Sequence, residues 1–154
     1  MSVTMKLTGF SELERELDKL SRAAGKGALR RSLRKAAEPL AEKMRVNAPR
    51  DDSPDLVESI AVSTKLSKRQ RGLHRKTVRD DKASVEMFVG AGPLPEAHLQ
   101  EFGTIHHPPQ PWARPAWDSD RAAMLDRLRV ELWAEVSKSV ARAEARAAKR
   151  AARS

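Results

Sequence analysis

The chain has no cysteine and no tyrosine, and it carries only three tryptophans and three phenylalanines in 154 residues. Without a thiol there is no disulfide framework, no thiolate nucleophile and no Cys-ligated zinc or iron-sulfur site. With so few aromatics, a core has to be assembled mainly from Leu, Val, Ala and Met, and contact with further copies would add to it. No stretch approaches a run of about 18 apolar residues. Met1-Ser2-Val3-Thr4-Met5-Lys6 has neither a charged leader nor a hydrophobic segment behind it, so the expectation is a protein kept in the cytoplasm without membrane contact. A Gly-rich phosphate loop and a G-x-S-x-G nucleophile elbow are also missing from the sequence. What is plentiful is charge: 33% of residues are Asp, Glu, Lys or Arg, with a formal net charge of +9. That balance favours polyanions, whether nucleic acid, an acidic protein surface or anionic lipid.

The length suits a single domain. Ser11 followed by Glu14 reads as a capping box, and Leu13, Leu17 and Leu20 then recur at helical spacing until Gly25 and Gly27, which read as the end of a first helix. The period resumes with Leu29, Leu33, Ala36, Leu40 and Met44, predicting a second helix from Ala28 to about Val46 that is bent at Pro39. Residues 48–56 are turn formers and read as a loop. The period then becomes two. Ile60, Val62, Thr64 and Leu66, and later Val85, Met87 and Val89, predict two strands of a long hairpin, with Met5-Lys6-Leu7 as a further short strand. Residues 68–79 are polar enough to be expected as a mobile arm.

Glu96 to Phe102 predicts a short helix with Gly103 at its left-handed cap, and Pro115 fits the first turn of a last helix striped by Trp117, Leu125, Leu128, Leu132, Val136 and Val140. The expected class is therefore α+β: a small antiparallel sheet, made of the long hairpin plus short extra strands, packed on two N-terminal helices and a long C-terminal helix. Residues 1–140 form the domain in this reading, and 141–154 form a basic, Ala/Arg-rich helical extension with little to bury.

Chemistry is poorly supplied. His98, His106 and His107 lie near Glu96 and Glu101, but no His-x-x-x-His pair exists, and a solvated loop is the preferred reading over a zinc site. The pairs Asp51-Asp52 and Asp80-Asp81 fall in expected loops, where turn formation explains them. No catalytic residue, metal or cofactor is expected. Basic side chains carry more signal: Lys68, Arg69, Arg71, Arg75, Lys76 and Arg79 in the arm, and Arg142, Arg146, Lys149 and Arg150 in the tail, could meet phosphates or an acidic partner. No aromatic is interleaved for base stacking, so sequence-specific readout is not expected. Trp112, between Pro111 and Pro115, suits an anchor either for a neighbouring subunit or for the domain's own sheet.

Two motifs are specific. Glu101-Phe102-Gly103-Thr104 and Pro109-Gln110-Pro111-Trp112-Ala113-Arg114-Pro115-Ala116, together with Gly9-Phe10-Ser11-Glu12-Leu13, Asn47-Ala48-Pro49 and Leu56-x-x-Ser59-Ile60, resemble the neck and tail-completion family of long-tailed bacteriophages. The sequence departs from that pattern at Arg50-Asp51-Asp52-Ser53-Pro54-Asp55, where family members carry an Asp-Thr-Gly turn, and in the length of its tail. The resemblance implies a structural virion protein, not an enzyme, in a ring of six or twelve copies around the DNA channel at the head-tail joint. Its partners would be other copies, the head-closure protein and the tail-terminator or tail-tube proteins, with non-specific contact to packaged DNA. It would be found in the virion, and in host cytoplasm during assembly. Glu101, Phe102, Gly103, Thr104, Pro111, Trp112, Arg114, Pro115 and Trp117 would form the oligomer or anchor interface. Two readings compete: a tail terminator capping the tail tube and, from another class, a nucleic-acid-binding or toxin-antitoxin module.

Overall fold

The protein's structure, a computed structural model, describes residues 10–50, 53–77 and 84–153. Two helices dominate it: α2 (Arg22–Asn47) and α6 (Arg114–Ala151), of 26 and 38 residues, run side by side in opposite directions. Helix α1 (Phe10–Asp18) lies against them. The Leu stripe of α1 does what its spacing predicts, since Leu13 is buried with Ala28 of α2 and Leu132, Val136 and Val140 of α6, flanked by Leu17, Leu20, Leu29 and Leu128.

Two expectations for this region are corrected. Ser11 is not a cap, because α1 already includes Phe10 and Ser11. Gly25 and Gly27 do not end a helix either: α2 starts after Ser21, whose Oγ accepts from the Ala24 amide at 3.3 Å, and it passes through both glycines. A glycine inside a helix costs only about 1 kcal/mol relative to alanine, which a cap and a packed face outweigh.

Helix α2 is also continuous across Pro39. The proline has no N–H for the Lys35 carbonyl and crowds that turn. Arg127 of α6 compensates at the next carbonyl, donating to Ala36 O from Nε at 3.2 Å and from Nη2 at 3.0 Å.

At the far end of the helix pair, a second core gathers Leu40, Ala41, Met44, Leu56, Ile60, Val62, Ala97, Trp112 and Ala116. The elements at this end are α3 (Pro54–Ser59), β1 (Ala61–Ser63), α4 (Lys68–Thr77), β2 (Phe88–Gly90) and α5 (Pro95–Phe102), of which α4, among the described residues, contributes none to the core. Strands β1 and β2 pair antiparallel with Ala61 opposite Gly90, Val62 opposite Val89 and Ser63 opposite Phe88. The class is α+β, as expected.

Three details differ. Part of the expected 48–56 loop belongs to α3, because Pro54 fixes a first-turn φ and Leu56 has a fully buried site to fill. The expected long strands shrink to three residues each, and among the described residues no further strand accompanies them. Strand β1 ends because Ser63 Oγ accepts from the Lys65 amide at 3.0 Å, turning the chain. Finally, the expected mobile arm contains α4. Ser67 and Gln70 form a reciprocal capping box, with Gln70 N donating to Ser67 Oγ at 3.2 Å and Ser67 N to Gln70 Oε1 at 3.0 Å. The expected Met5–Leu7 strand, Asp51-Asp52, Arg79 and Asp80-Asp81 lie outside the described residues.

Candidate functional site

Helix α5 and the start of α6 are joined through one side chain. Glu101 is 5% exposed, and its carboxylate accepts the backbone N–H groups of Trp112 at 2.7 Å, Ala113 at 2.9 Å and Arg114 at 3.1 Å. These are donors that the beginning of a helix leaves unpaired, and a negative charge is favoured there by the helix dipole. Arg114 Nε adds a fourth bond at 2.8 Å, while its Nη2 donates to the Glu101 carbonyl at 3.2 Å. Burial pushes the Glu101 carboxyl up, but the Ala113 amide, the Arg114 side chain and the Trp112 and Arg114 amides together bring it below its ordinary value.

The other motif residues surround this junction. The Trp112 ring is buried in its own chain, with Nε1 donating to Ala97 O at 3.0 Å. Arg114 lies over the Phe102 ring at 4.7 Å from its centroid, and His98 approaches the same ring at 5.0 Å. Gly103 has φ 76°, donates to Leu99 O, and a Cβ there would come within 2.8 Å of Pro109 N and 2.9 Å of His107 O. Only glycine fits that cap. Thr104 and His107 close the following turn, where Thr104 N donates to His107 O at 2.9 Å, and Pro115 occupies the first turn of α6. Pro111 is exposed on the approach to that helix. His106 and His107 are thus turn residues, and among the described residues no group of three His, Asp or Glu is placed to hold a metal ion.

Trp117 is not core. It is 45% exposed and forms one wall of an apolar groove with Leu33, Leu40, Met87, Leu125 and Leu128. A second exposed apolar patch on α6 is made by Val130 and Trp133, beside Leu13.

The basic residues fall into two groups. Lys68, Arg69, Arg71, Arg75 and Lys76 are exposed on α4, which is fastened to the sheet by Gln70 Nε2 donating to Gly92 O and by His74 packing edge-on to Phe88. Arg142, Arg146, Lys149 and Arg150 are exposed on the last turns of α6.

Sequence reading missed the ionic belts between α2 and α6. Asp120, 1% exposed, is held by Arg127 at 2.5 Å and Lys43 at 2.9 Å. The Arg127 hydrogen bond, opposed by burial and aided by Lys43, keeps its carboxyl below the ordinary value. Glu135, 6% exposed, meets Lys35 at 2.8 Å and Arg31 at 2.7 Å. Hydrogen bonds from Lys35 and then Arg31 lower it to about 2, against the effect of burial. Partners as distant in the chain as Lys43 from Asp120, or Arg31 and Lys35 from Glu135, leave no local trace; the signal available was a charge at a position where the α6 stripe calls for an apolar residue.

A family model described as "Bacteriophage HK97-gp10, putative tail-component" matches residues 11–103, a span that runs from α1 to the glycine cap of α5. No curated protein and no solved structure matches the chain.

Proposed function

The chain belongs to the HK97-gp10-like family of bacteriophage tail components, and on that premise we propose that it is a structural subunit of a ring at the head-tail joint, surrounding the path of the DNA. A tail component meets other virion proteins, and two separate apolar surfaces support association: the groove beside Trp117 and, on another face of the same helix, the Val130 and Trp133 patch. Two half-exposed tryptophans on one helix are costly in water and gain by burial against a neighbour. Glu101, Gly103, Trp112 and Pro115 set the angle at which α6 leaves α5, so in this reading they aim α6; Phe102, Arg114 and Thr104 belong to the same junction. The partners are further copies, six or twelve to a ring, a head-closure protein on one side and a tail-terminator or tail-tube protein on the other. The ring is assembled in host cytoplasm and retained in the virion. Residues 1–140 supply the ring domain and 141–154 extend from it. No catalysis is assigned.

Labelled-antibody imaging of virions tests the position. Label at the neck supports the reading, whereas label at the top of the tail tube would assign the tail-terminator role. Trp117→Asp should abolish joined particles while leaving the purified subunit folded. Normal particle yield from that variant would remove Trp117 from the interface.

A further inference from the structure

Beyond Val140 the helix pair stops making core and opens into a cleft of about 400 Å3 between the first turns of α2 and the tail of α6. Arg142, Arg146 and Arg150 line it from α6, and Arg31 lines it from α2. Among the described residues, no carboxylate lines it. Arg31 spends its Nε on Glu135, but the three tail arginines recur every four residues, so they stand in a row with a step of about 6 Å along the helix. Like charges at that spacing repel and weaken a helix unless an anion lies between them.

Much of the remaining wall is small, with Ala23, Ala24 and Gly27 on one side and Ala143 and Ala147 on the other, beside Leu20, Ser21 and Ser139. Gly27 has a specific consequence. A Cβ there would lie 3.3 Å from Arg31 Nη1, so the missing side chain leaves room for that guanidinium at the cleft. The capped first turn of α2 also borders this space.

We infer that this cleft seats the phosphate backbone of DNA. Guanidinium forks match phosphate oxygens in pairs, and a nucleic-acid strand offers single negative charges in a regular row. Side walls of Ala and Gly let a backbone approach closely. An acidic protein surface presents its carboxylates at the ends of flexible side chains and has no comparable regular spacing. Helix α4 carries five Lys and Arg against the four arginines of the cleft, but at exposed positions along the helix. The inference rests on the tail-component reading only for which DNA would be met.

The test is binding of a short random-sequence duplex to the full chain, followed by fluorescence anisotropy across salt concentration. Each phosphate contact contributes about 0.9 to the slope of log K against log salt. Arg142→Gln, Arg146→Gln and Arg150→Gln together should lower that slope by about 2 to 3, with at least a tenfold loss at low salt. The matched set of three, Lys68→Gln, Arg69→Gln and Arg75→Gln on α4, should lose less than half as much. Equal losses, or no loss from the tail set, would overturn the assignment. So would polyglutamate competing as well as DNA at equal charge, which would make the occupant an acidic protein. Amide NMR on the unmutated chain provides the second measurement: DNA should shift Ala23, Gly27, Ala143 and Ala147 more than α4, and the reverse pattern would sink the proposal. A failure here is read in solution, separately from the virion position that tests the ring.

Discussion

The Arg114 guanidinium holds Glu101 twice, once at the carboxylate at 2.8 Å and once at the Glu101 carbonyl at 3.2 Å. The same carboxylate also takes three backbone N–H groups at the start of α6, so one residue determines both where that helix begins and how it is aimed.

Glu101→Gln removes the charge but keeps one acceptor, and it should destabilise the chain by about 2 kcal/mol; Glu101→Ala leaves buried donors unpaired and should cost about 3 to 4 kcal/mol. Urea unfolding measures both. If the two variants unfold at the midpoint of the parent, the carboxylate is not the clamp described.

The pH profile follows from carboxylates with lowered pKa values. Glu135 titrates at about 2 in the folded chain against 4.5 ordinarily, and Glu101 and Asp120 are lowered as well. An acid with a depressed folded pKa stabilises above its unfolded value and loses that contribution as pH falls through the folded one. Tm should therefore hold down to about pH 4.5 and decline from there toward pH 2. Glu135→Gln should lower the plateau and flatten the decline. A Gln variant that runs parallel to the parent would remove Glu135 as its source.

Gly103→Ala places a Cβ against backbone atoms at 2.8 and 2.9 Å and forces φ 76° on a residue that avoids it. The expected cost is about 3 kcal/mol, with disturbance of the Thr104–His107 turn. Thermal denaturation reads the cost, and a loss under about 1 kcal/mol would mean that the turn yields easily.

Gly27→Ala should have the opposite sign. Among the described residues, a Cβ there meets the flexible end of Arg31 at 3.3 Å, so the gain in helix propensity, about 0.5 to 1 kcal/mol, should prevail. A fall in Tm would show that Arg31 cannot move aside.

Local signals were legible where the cause is local. Gly103 as a cap, Pro115 in the first turn and the Leu13 stripe all follow from spacing. Helix α4 was equally available, since Ser67 and Gln70 stand three apart, but the density of charge behind them obscured the capping box. Trp117 fits the α6 stripe and yet stays half exposed, because the stripe is wider than the face α2 covers. The role of Glu101 was visible as a motif but not as chemistry: nothing in the order of residues says that a carboxylate will cap a helix beginning some dozen positions later. Likewise Asp120 and Glu135 acquire meaning only when α2 comes alongside.

Those two belts have a mechanical consequence. Lys43 meets Asp120, Arg127 meets the Ala36 carbonyl, and Lys35 and Arg31 meet Glu135, at successive levels along an antiparallel pair. A slip of one helical turn would move each α2 partner by about 5.4 Å, leaving Glu135 buried without a cation and Asp120 with only Arg127 of its own helix. The long helices are thus keyed at two points, and load applied at the sheet end reaches the arginine-lined end without sliding: the pair is a strut, not a spring.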